Sequence, residues 1–322
     1  MTTHVDFTVA ICTYNGENRL PEVLERLRSQ VYSPNLRWEV LVVDNNSKDN
    51  TAKIVRQYQA NWSDSNPLRY LFELQQGAAF ARKLAIIESR AELIGFLDDD
   101  NLPASDWVAA AYTFAQEHPK TGAYGSQIHA DFEVQPPENF QRIAPFLAIT
   151  ERGSLPLLYE PRKKLLPPSA GIVVRKQAWL ESVPTHSILT GRVTGNMLTG
   201  EDLEVLSFIQ KAGWEIWYNP AMEVHHKIPS WRLQRDYLIP FFRGVGLSRH
   251  VTRTISIKRW LIPLAVLVYM ANDLRKIFLH LLKYRIKVKT DLVAACEMQL
   301  MLSSLISSIY LWKNGYLNLQ YK

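Results

Sequence analysis

A chain of 322 residues that is 47% hydrophobic, with 14 glycines and 17 prolines, can bury a sizeable core as one large domain or two modest ones, and its composition excludes collagen-like, low-complexity and disordered classes. Its two cysteines, Cys12 and Cys296, lie far apart and in no CxxC pair, which argues against a disulfide framework or a cysteine zinc site. The net charge of +6 is segregated: residues 227–322 carry 16 Lys/Arg against 4 Asp/Glu, a net of +12, and residues 1–226 carry −6, so the C-terminal third predicts an anionic partner, nucleic acid or membrane.

The opening "MTTHVDFTVAI" has no basic stretch leading into a long apolar one, so no signal peptide is expected and the chain should work in a reducing cytoplasm. "FTVAICT" (7–13) reads as a buried strand, and Leu20, Val23, Leu24 and Leu27 mark a helix. "WEVLVVD" (38–44) is a second buried strand; a helix follows it, with Ser47 or Asp49 available as N-cap. "LRYLFEL" (68–74), the helix "GAAFARKLAIIESR" (77–90) and "LIGFLD" (93–98) complete four strand–helix alternations. That order predicts a mostly parallel sheet covered by helices, with ligands beyond the carboxyl ends of its strands. Thr13, Asp44 and Asp98 all fall at such ends. Beyond Trp107 the spacing predicts a helix, a strand at 121–129, an unassigned stretch at 130–168, a strand and helix at 169–183, a helix at 201–213 and one or two short strands in "WEIWYNPAMEVHH".

Asp98, Asp99 and Asp100 end the fourth strand together. Three adjacent carboxylates repel one another unless a cation offsets them, and an Asp-x-Asp pair suits Mg2+ or Mn2+ bridging to a substrate phosphate. A solvated acidic turn is the plain alternative. No glycine-rich phosphate loop is present.

The ordered series "TVAICTYN", "VVDNNSKDNT", "QQGAAFARKLAI", "GFLDDDN", "PPSAGIVVRKQAW", "LTGRVTGNMLTGEDLEV" and "YNPAMEVHHKIPSWRL" resembles the family 2 glycosyltransferases, inverting enzymes with a GT-A nucleotide-diphospho-sugar domain. The resemblance covers roughly residues 5–235. It implies an α/β GT-A catalytic domain over 1–235, with a donor half at about 1–128 and an acceptor half at about 129–235, followed by a basic amphipathic helical extension over 236–322. Thr13 and Tyr14 resemble the walls of the nucleobase pocket. Asp44 resembles the carboxylate that meets the base, often uracil, and otherwise closes its strand with an Asx-turn. Arg82, with Gly77 before it, matches the basic position that meets the nucleotide or its phosphates, or else lies on a solvated helix face.

Of the acidic turn, the resemblance assigns Asp100 as direct metal ligand and Asp98 to the ribose or the metal shell. Asp202, with Glu201 beside it at a helix start that favours negative charge, matches the base that deprotonates the acceptor; a helix-stabilising charge pair is the alternative. Adjacent strand residues face opposite ways, so only one of His225 and His226 can reach the site. The spacing favours His226, as a metal or diphosphate contact or as a structural histidine. Arg232 is implied to hold the leaving diphosphate, and Trp231 to stack on a sugar or merely to pack. The reaction implied is one displacement at the anomeric carbon, with a divalent metal ion, Mg2+ or Mn2+, as cofactor and a nucleotide-diphospho-sugar, commonly a UDP-sugar, as donor.

"IKRW" (257–260) is not the QxxRW of processive synthases, so single-addition transferases are the nearer likeness. Segment 259–289 alternates apolar blocks with lysine and arginine and has too few clean apolar residues before Asn272 and Asp273 to span a bilayer, whereas 292–312 is largely apolar and long enough but weakened by Glu297, Gln299 and four serines. They predict interfacial amphipathic helices rather than spans, with ordinary packing helices as the alternative. Together with Arg162, Lys163 and Lys164, which could also form a solvated loop, they suggest a saccharide or lipid-linked acceptor in polysaccharide biosynthesis at the inner face of the cell membrane. Nucleic acid is disfavoured because the basic residues lie among apolar runs. A nicotinamide-dependent oxidoreductase lacks its glycine fingerprint here. A sugar nucleotidyltransferase and a catalytically silent scaffold remain as alternatives.

Overall fold

A computed structural model describes residues 4–163, 165–193 and 195–317; Lys164 of the basic stretch lies outside them. Among the described residues the order is β1 (Phe7–Thr13), α1 (Leu20–Arg28), β2 (Trp38–Asp44), α2 (Thr51–Gln59), β3 (Leu68–Phe72), α3 (Ala78–Glu88), β4 (Leu93–Asp98), β5 (Asn101–Pro103), α4 (Trp107–Glu117), β6 (Thr121–Phe132), β7 (Leu157–Leu158), β8 (Ile172–Arg175), α5 (Lys176–Ser182), α6 (Glu201–Lys211), β9 (Glu215–Ile228), α7 (Arg235–Thr254), α8 (Ile262–Tyr284) and α9 (Leu292–Lys313), with short 3-10 turns between.

Two compact units group these elements: 1–131, 148–183 and 209–227 in the first, and 132–147, 184–208 and 228–322 in the second. Compactness therefore does not divide the chain at 235. Segments 132–147 and 184–208 of the expected catalytic stretch group with the C-terminal helices.

In the first unit β1, β2, β3 and β4 pair in parallel. Phe7, Val9 and Ile11 of β1 and Trp38, Val40 and Val42 of β2 join one core with Leu20, Val23, Leu24 and Leu27 of α1 and Trp107 of α4. Both faces of these strands are covered, so their sequences are near-continuous apolar runs. The exception is Glu39, fully buried in β2, whose carboxylate accepts from the Thr8 hydroxyl and the Arg69 guanidinium. The parallel register places Thr13 opposite Asp44 and Cys12 opposite Asp98, so the strand ends do gather on one edge.

The expectation of a mostly parallel sheet holds only for those four strands. The full order is β3-β2-β1-β4-β8-β6-β9-β5, with β7 beside β9. β8 lies antiparallel between β4 and β6, and β5 runs antiparallel to β9. Where one or two short strands were expected near 214–226, β9 is a single strand of 14 residues.

The second unit is built on α7 and α9, which run along each other. A Cβ on Gly246 of α7 would come within 2.6 Å of the Leu300 carbonyl oxygen, so only glycine permits that approach. Asp291 caps α9 by accepting from the Ala294 N–H. α9 is long and apolar enough to cross a membrane, yet more than half of its apolar window is buried in the protein; it packs as a core helix. α8 packs against α9.

Candidate active site

Two loops at the carboxyl edge are stitched together by backbone donors and short polar side chains. The Asn15, Gly16 and Glu17 N–H groups donate to Ser47 Oγ, Thr51 Oγ1 and Asp49 Oδ2 at 2.9, 2.9 and 3.0 Å. Of the two residues expected as caps of α2, Ser47 holds the neighbouring loop, while Asp49 does both, its Oδ1 also accepting from the Thr51 N–H at 3.0 Å at the helix start. Asn15 and Asn46 take left-handed backbone angles, φ 49 and 64, which asparagine tolerates better than most residues. Asn45 pins the loop before α3: its Nδ2 donates to the Gln75 carbonyl at 2.7 Å, and the Gly77 N–H donates to its Oδ1 at 2.8 Å. Gly77 enters α3 at φ 137, a conformation side chains resist.

On this scaffold Tyr14 is exposed, whereas Thr13 and Asp44 are buried. Asp44 accepts from the Ser47 N–H at 2.9 Å and from the Tyr70 hydroxyl at 2.8 Å. The Asx-type closure foreseen as its alternative is therefore present. Burial and the bond to Asp44 push the Tyr70 phenol up, keeping it a donor.

Each carboxylate of the acidic turn meets a different base. Asp98 is 3.5 Å from Arg82, whose guanidinium also donates to Ser169 Oγ at 2.9 Å. Asp99 takes a bidentate contact from Arg19 at 2.7 and 2.9 Å and the Thr13 hydroxyl at 2.6 Å. That carboxylate holds the Arg19 guanidinium above its usual value. Asp100 Oδ1 accepts from Asn101 Nδ2 at 3.0 Å and lies 3.7 Å from His226 Nε2. Two of the three carboxylates are thus offset by arginines of the fold, Asp98 by Arg82 and Asp99 by Arg19, and Asp100 faces an imidazole. Arg82 is buried, which rules out the solvated helix face.

Asp98 stays open, its side chain 40% exposed against 7% for Asp100. On β9 the alternation buries Val224, His226 and Ile228 and exposes Glu223, His225 and Lys227. His225 turns towards His129, ring centres 5.4 Å apart. The antiparallel register sets His226 opposite Asn101. Among the described residues no group of three or more His, Cys, Asp and Glu is gathered to cradle a metal. Ions of the Mg2+ and Mn2+ kind need only one or two protein carboxylates beside substrate phosphates. Asp98 and Asp100 offer carboxylate oxygens of the kind such ions take.

Of the expected site residues, Thr13, Tyr14, Asp44, Arg82, Asp98, Asp100 and His226 belong to the first unit, and Glu201, Asp202, Trp231 and Arg232 to the second. Glu201 is buried, its Oε2 accepting from the Gly200 N–H at 3.0 Å. Asp202 is half-buried, its Oδ1 accepting from the Leu203 N–H at 2.8 Å. Trp231 is exposed on the 3-10 turn Ser230–Leu233; the Arg232 guanidinium lies 5.4 Å over its ring and Tyr237 meets it edge-on. Arg162 and Lys163 are exposed.

Sequence reasoning missed Arg19, Asn45, Tyr70 and Glu204. Nothing local marks the first three, whose partners are brought by the register. Glu204 lies on the face of α6 that turns inward. It accepts from the Ile188 and Leu189 N–H groups at 2.9 and 2.8 Å, and burial pushes its carboxyl up to about 7. A carboxyl raised in the folded state adds stability that is whole below its unfolded value of about 4.5 and lost as pH rises through about 7. Chemical denaturation from pH 4.5 to 8 should therefore show a fall of about 3 kcal/mol from this group, and Glu204→Gln should flatten it.

A sheet that is parallel through four strands and antiparallel beyond an acidic turn, with polar loops gathered at the carboxyl edge, defines a GT-A glycosyltransferase fold. The chain belongs to glycosyl transferase family 2, whose model matches residues 8–181, more than half of it, and this removes the sugar nucleotidyltransferase alternative. Glycosyltransferase AglE of Haloferax volcanii is 36% identical over 109 residues, 34% of this chain and 35% of that protein. The match thus spans about a third of that relative. Glucosyl-dolichyl phosphate glucuronosyltransferase of the same organism is 23% identical over 76% of each chain. Mannosyltransferase PcManGT from Pyrobaculum calidifontis, solved with GDP-Man and Mn2+, superposes with a TM-score of 0.58 at 19% identity, over 96% of this chain and 88% of that one. S. aureus TarS 1-349 with UDP-GlcNAc gives 0.53 at 14%, over 97% and 92%. These two likenesses speak for the fold.

Proposed function

We propose that the protein is a metal-dependent inverting glycosyltransferase that moves a sugar from a nucleotide-diphospho-sugar to a saccharide or lipid-linked acceptor in polysaccharide biosynthesis, at the inner face of the cell membrane. The observation that carries this is the acidic turn, with open Asp98, and Asp100 beside His226, at the carboxyl edge of a family 2 sheet. GDP-Man and Mn2+ in PcManGT and UDP-GlcNAc in TarS support the donor class. A relative named for glucosyl-dolichyl phosphate supports a lipid-linked acceptor. The catalytic stretch is 1–235 in sequence, with 236–322 as its extension.

Thr13 and Tyr14 wall the base. Asp44 keeps acceptor sites beyond the two that Ser47 and Tyr70 fill, since an ionised carboxylate offers about four. Arg82 lends positive charge to the phosphates. Asp98, Asp100 and His226 would hold the divalent ion, which when bound supplies charge opposite the departing diphosphate. Asp202 takes the proton of the acceptor hydroxyl as its oxygen bonds to the anomeric carbon and the bond from that carbon to the diphosphate oxygen breaks. A single displacement inverts the configuration. Glu201 and Trp231 position the acceptor, and Arg232 steadies the leaving diphosphate.

Calorimetry across a panel of nucleotide sugars, with and without Mn2+ or Mg2+, tests the reading. One donor should bind only weakly without metal and be hydrolysed or transferred with it. A panel in which none binds under either condition would leave the silent scaffold as the better account.

A further inference from the structure

α8 is built inside out for a soluble protein. Leu264, Leu267, Val268, Leu274, Phe278 and Leu282 recur at helical spacing and are all exposed, Leu267 at 64% and Phe278 at 60%. The opposite face carries Tyr269, Asp273, Ile277 and His280, which are buried or half-buried. Asp273, the sole carboxylate of the helix, is taken by Arg253 at 2.6 and 2.9 Å, and His280 contacts the Ala294 carbonyl at 3.0 Å. The polar face is therefore the docked one, and a continuous apolar stripe looks outward. Monomeric soluble proteins rarely leave such a stripe uncovered.

Charge says what covers it. Lys258, Arg259, Arg275, Lys276, Lys283 and Arg285 are exposed along or just beyond α8, and no exposed carboxylate lies on it. Trp260 at one end is 76% exposed, and Ile286 past the other 82%. A second copy of the chain is a poor cover, because a two-fold contact sets the same face against itself and would press these cations together. Spanning is excluded by Asn272, Asp273, Arg275 and Lys276 at mid-helix and by the docked opposite face. An apolar stripe flanked only by cations suits the boundary between anionic headgroups and acyl chains.

We propose that α8 lies in the plane of an anionic membrane surface, with Leu267, Phe278 and Leu282 in the acyl boundary and Arg275, Lys283 and Arg285 among the headgroup phosphates. This deepens the membrane association proposed above, and assigns it to α8 rather than to the whole of 236–322. α9, against which α8 packs and whose apolar window is more than half buried, serves as the support.

Sedimentation of the full chain with phosphatidylcholine vesicles, with and without phosphatidylglycerol, tests it. The wild type should bind the anionic vesicles strongly and the neutral ones weakly, with salt reducing the difference. Leu267→Glu with Phe278→Glu should weaken binding about 100-fold. Arg275→Glu with Lys283→Glu should weaken it about 10-fold and abolish the lipid-charge preference. Leu180→Glu, an exposed apolar site on α5, should change nothing.

Wild-type protein that stays in solution with anionic vesicles, or stripe variants that bind as the wild type does, would overturn the proposal. So would light scattering in which the wild type is a dimer, the stripe variants are monomers and vesicle binding is unchanged. Donor binding measured without vesicles keeps the readings apart: its loss in the wild type sinks the transferase reading, and lost vesicle binding with intact donor binding sinks only this one.

Discussion

Asp202→Asn is expected to bind the nucleotide sugar as the wild type does and to turn over about 10³-fold more slowly, within the span that general-base catalysis supplies. The amide keeps the carboxylate's shape, and its carbonyl oxygen can still accept the Leu203 N–H that Asp202 Oδ1 now takes at 2.8 Å, so the start of α6 should survive. What it loses is the capacity to take a proton. Glu201 is an unsuitable stand-in, because it is buried where Asp202 is half-buried. Glu204 is tied to Ile188 and Leu189 by two backbone donors. Calorimetry should give an unchanged donor Kd, and release of nucleoside diphosphate should give the lower kcat. If kcat holds within a few-fold, the base lies elsewhere and Asp202 serves only the helix start.

The half of the fold that binds nucleotides in such proteins was legible because its physics is local. A strand covered on both faces must be apolar throughout, and β1, β2 and β4 announce themselves; Leu20, Val23, Leu24 and Leu27 give the buried face of α1. Parity on β9 separates His226 from His225 for the same reason. The insertion of β8 between β4 and β6 was not legible, since four apolar residues carry no record of which neighbours they pair with. Nor was Arg19, which reaches Asp99 from 80 residues away. In the C-terminal helices, periodicity reveals a stripe but not what covers it. One segment alternates basic and apolar residues and the other is largely apolar, but neither pattern showed that more than half of the apolar window of α9 would be buried while α8 carries its stripe outward.

The different partners of the three aspartates yield the second large effect. Asp100→Ala should abolish the gain in donor affinity that Mn2+ or Mg2+ brings, a loss of about 100-fold or more, since even residues that merely support metal ligands cost 10- to 100-fold. Weak metal-free binding should persist, because Thr13, Tyr14 and Asp44 are untouched. Asp99→Asn should behave otherwise. Its carboxylate is spent on Arg19 and Thr13, and Arg19 is partly exposed, so the loss should be about 1–2 kcal/mol of stability with the metal response kept. Thermal melts of both variants separate the two outcomes, because replacing Asp100 also takes the carboxylate 3.7 Å from buried His226 and should lower Tm somewhat. A metal response that survives Asp100→Ala but vanishes in Asp99→Asn would exchange the roles of the two side chains. It would also require the bidentate pair with Arg19 to open whenever donor binds, an opening the geometry opposes: Asp99 is buried and already accepts from both Arg19 and Thr13, whereas the Asp98 side chain is 40% exposed.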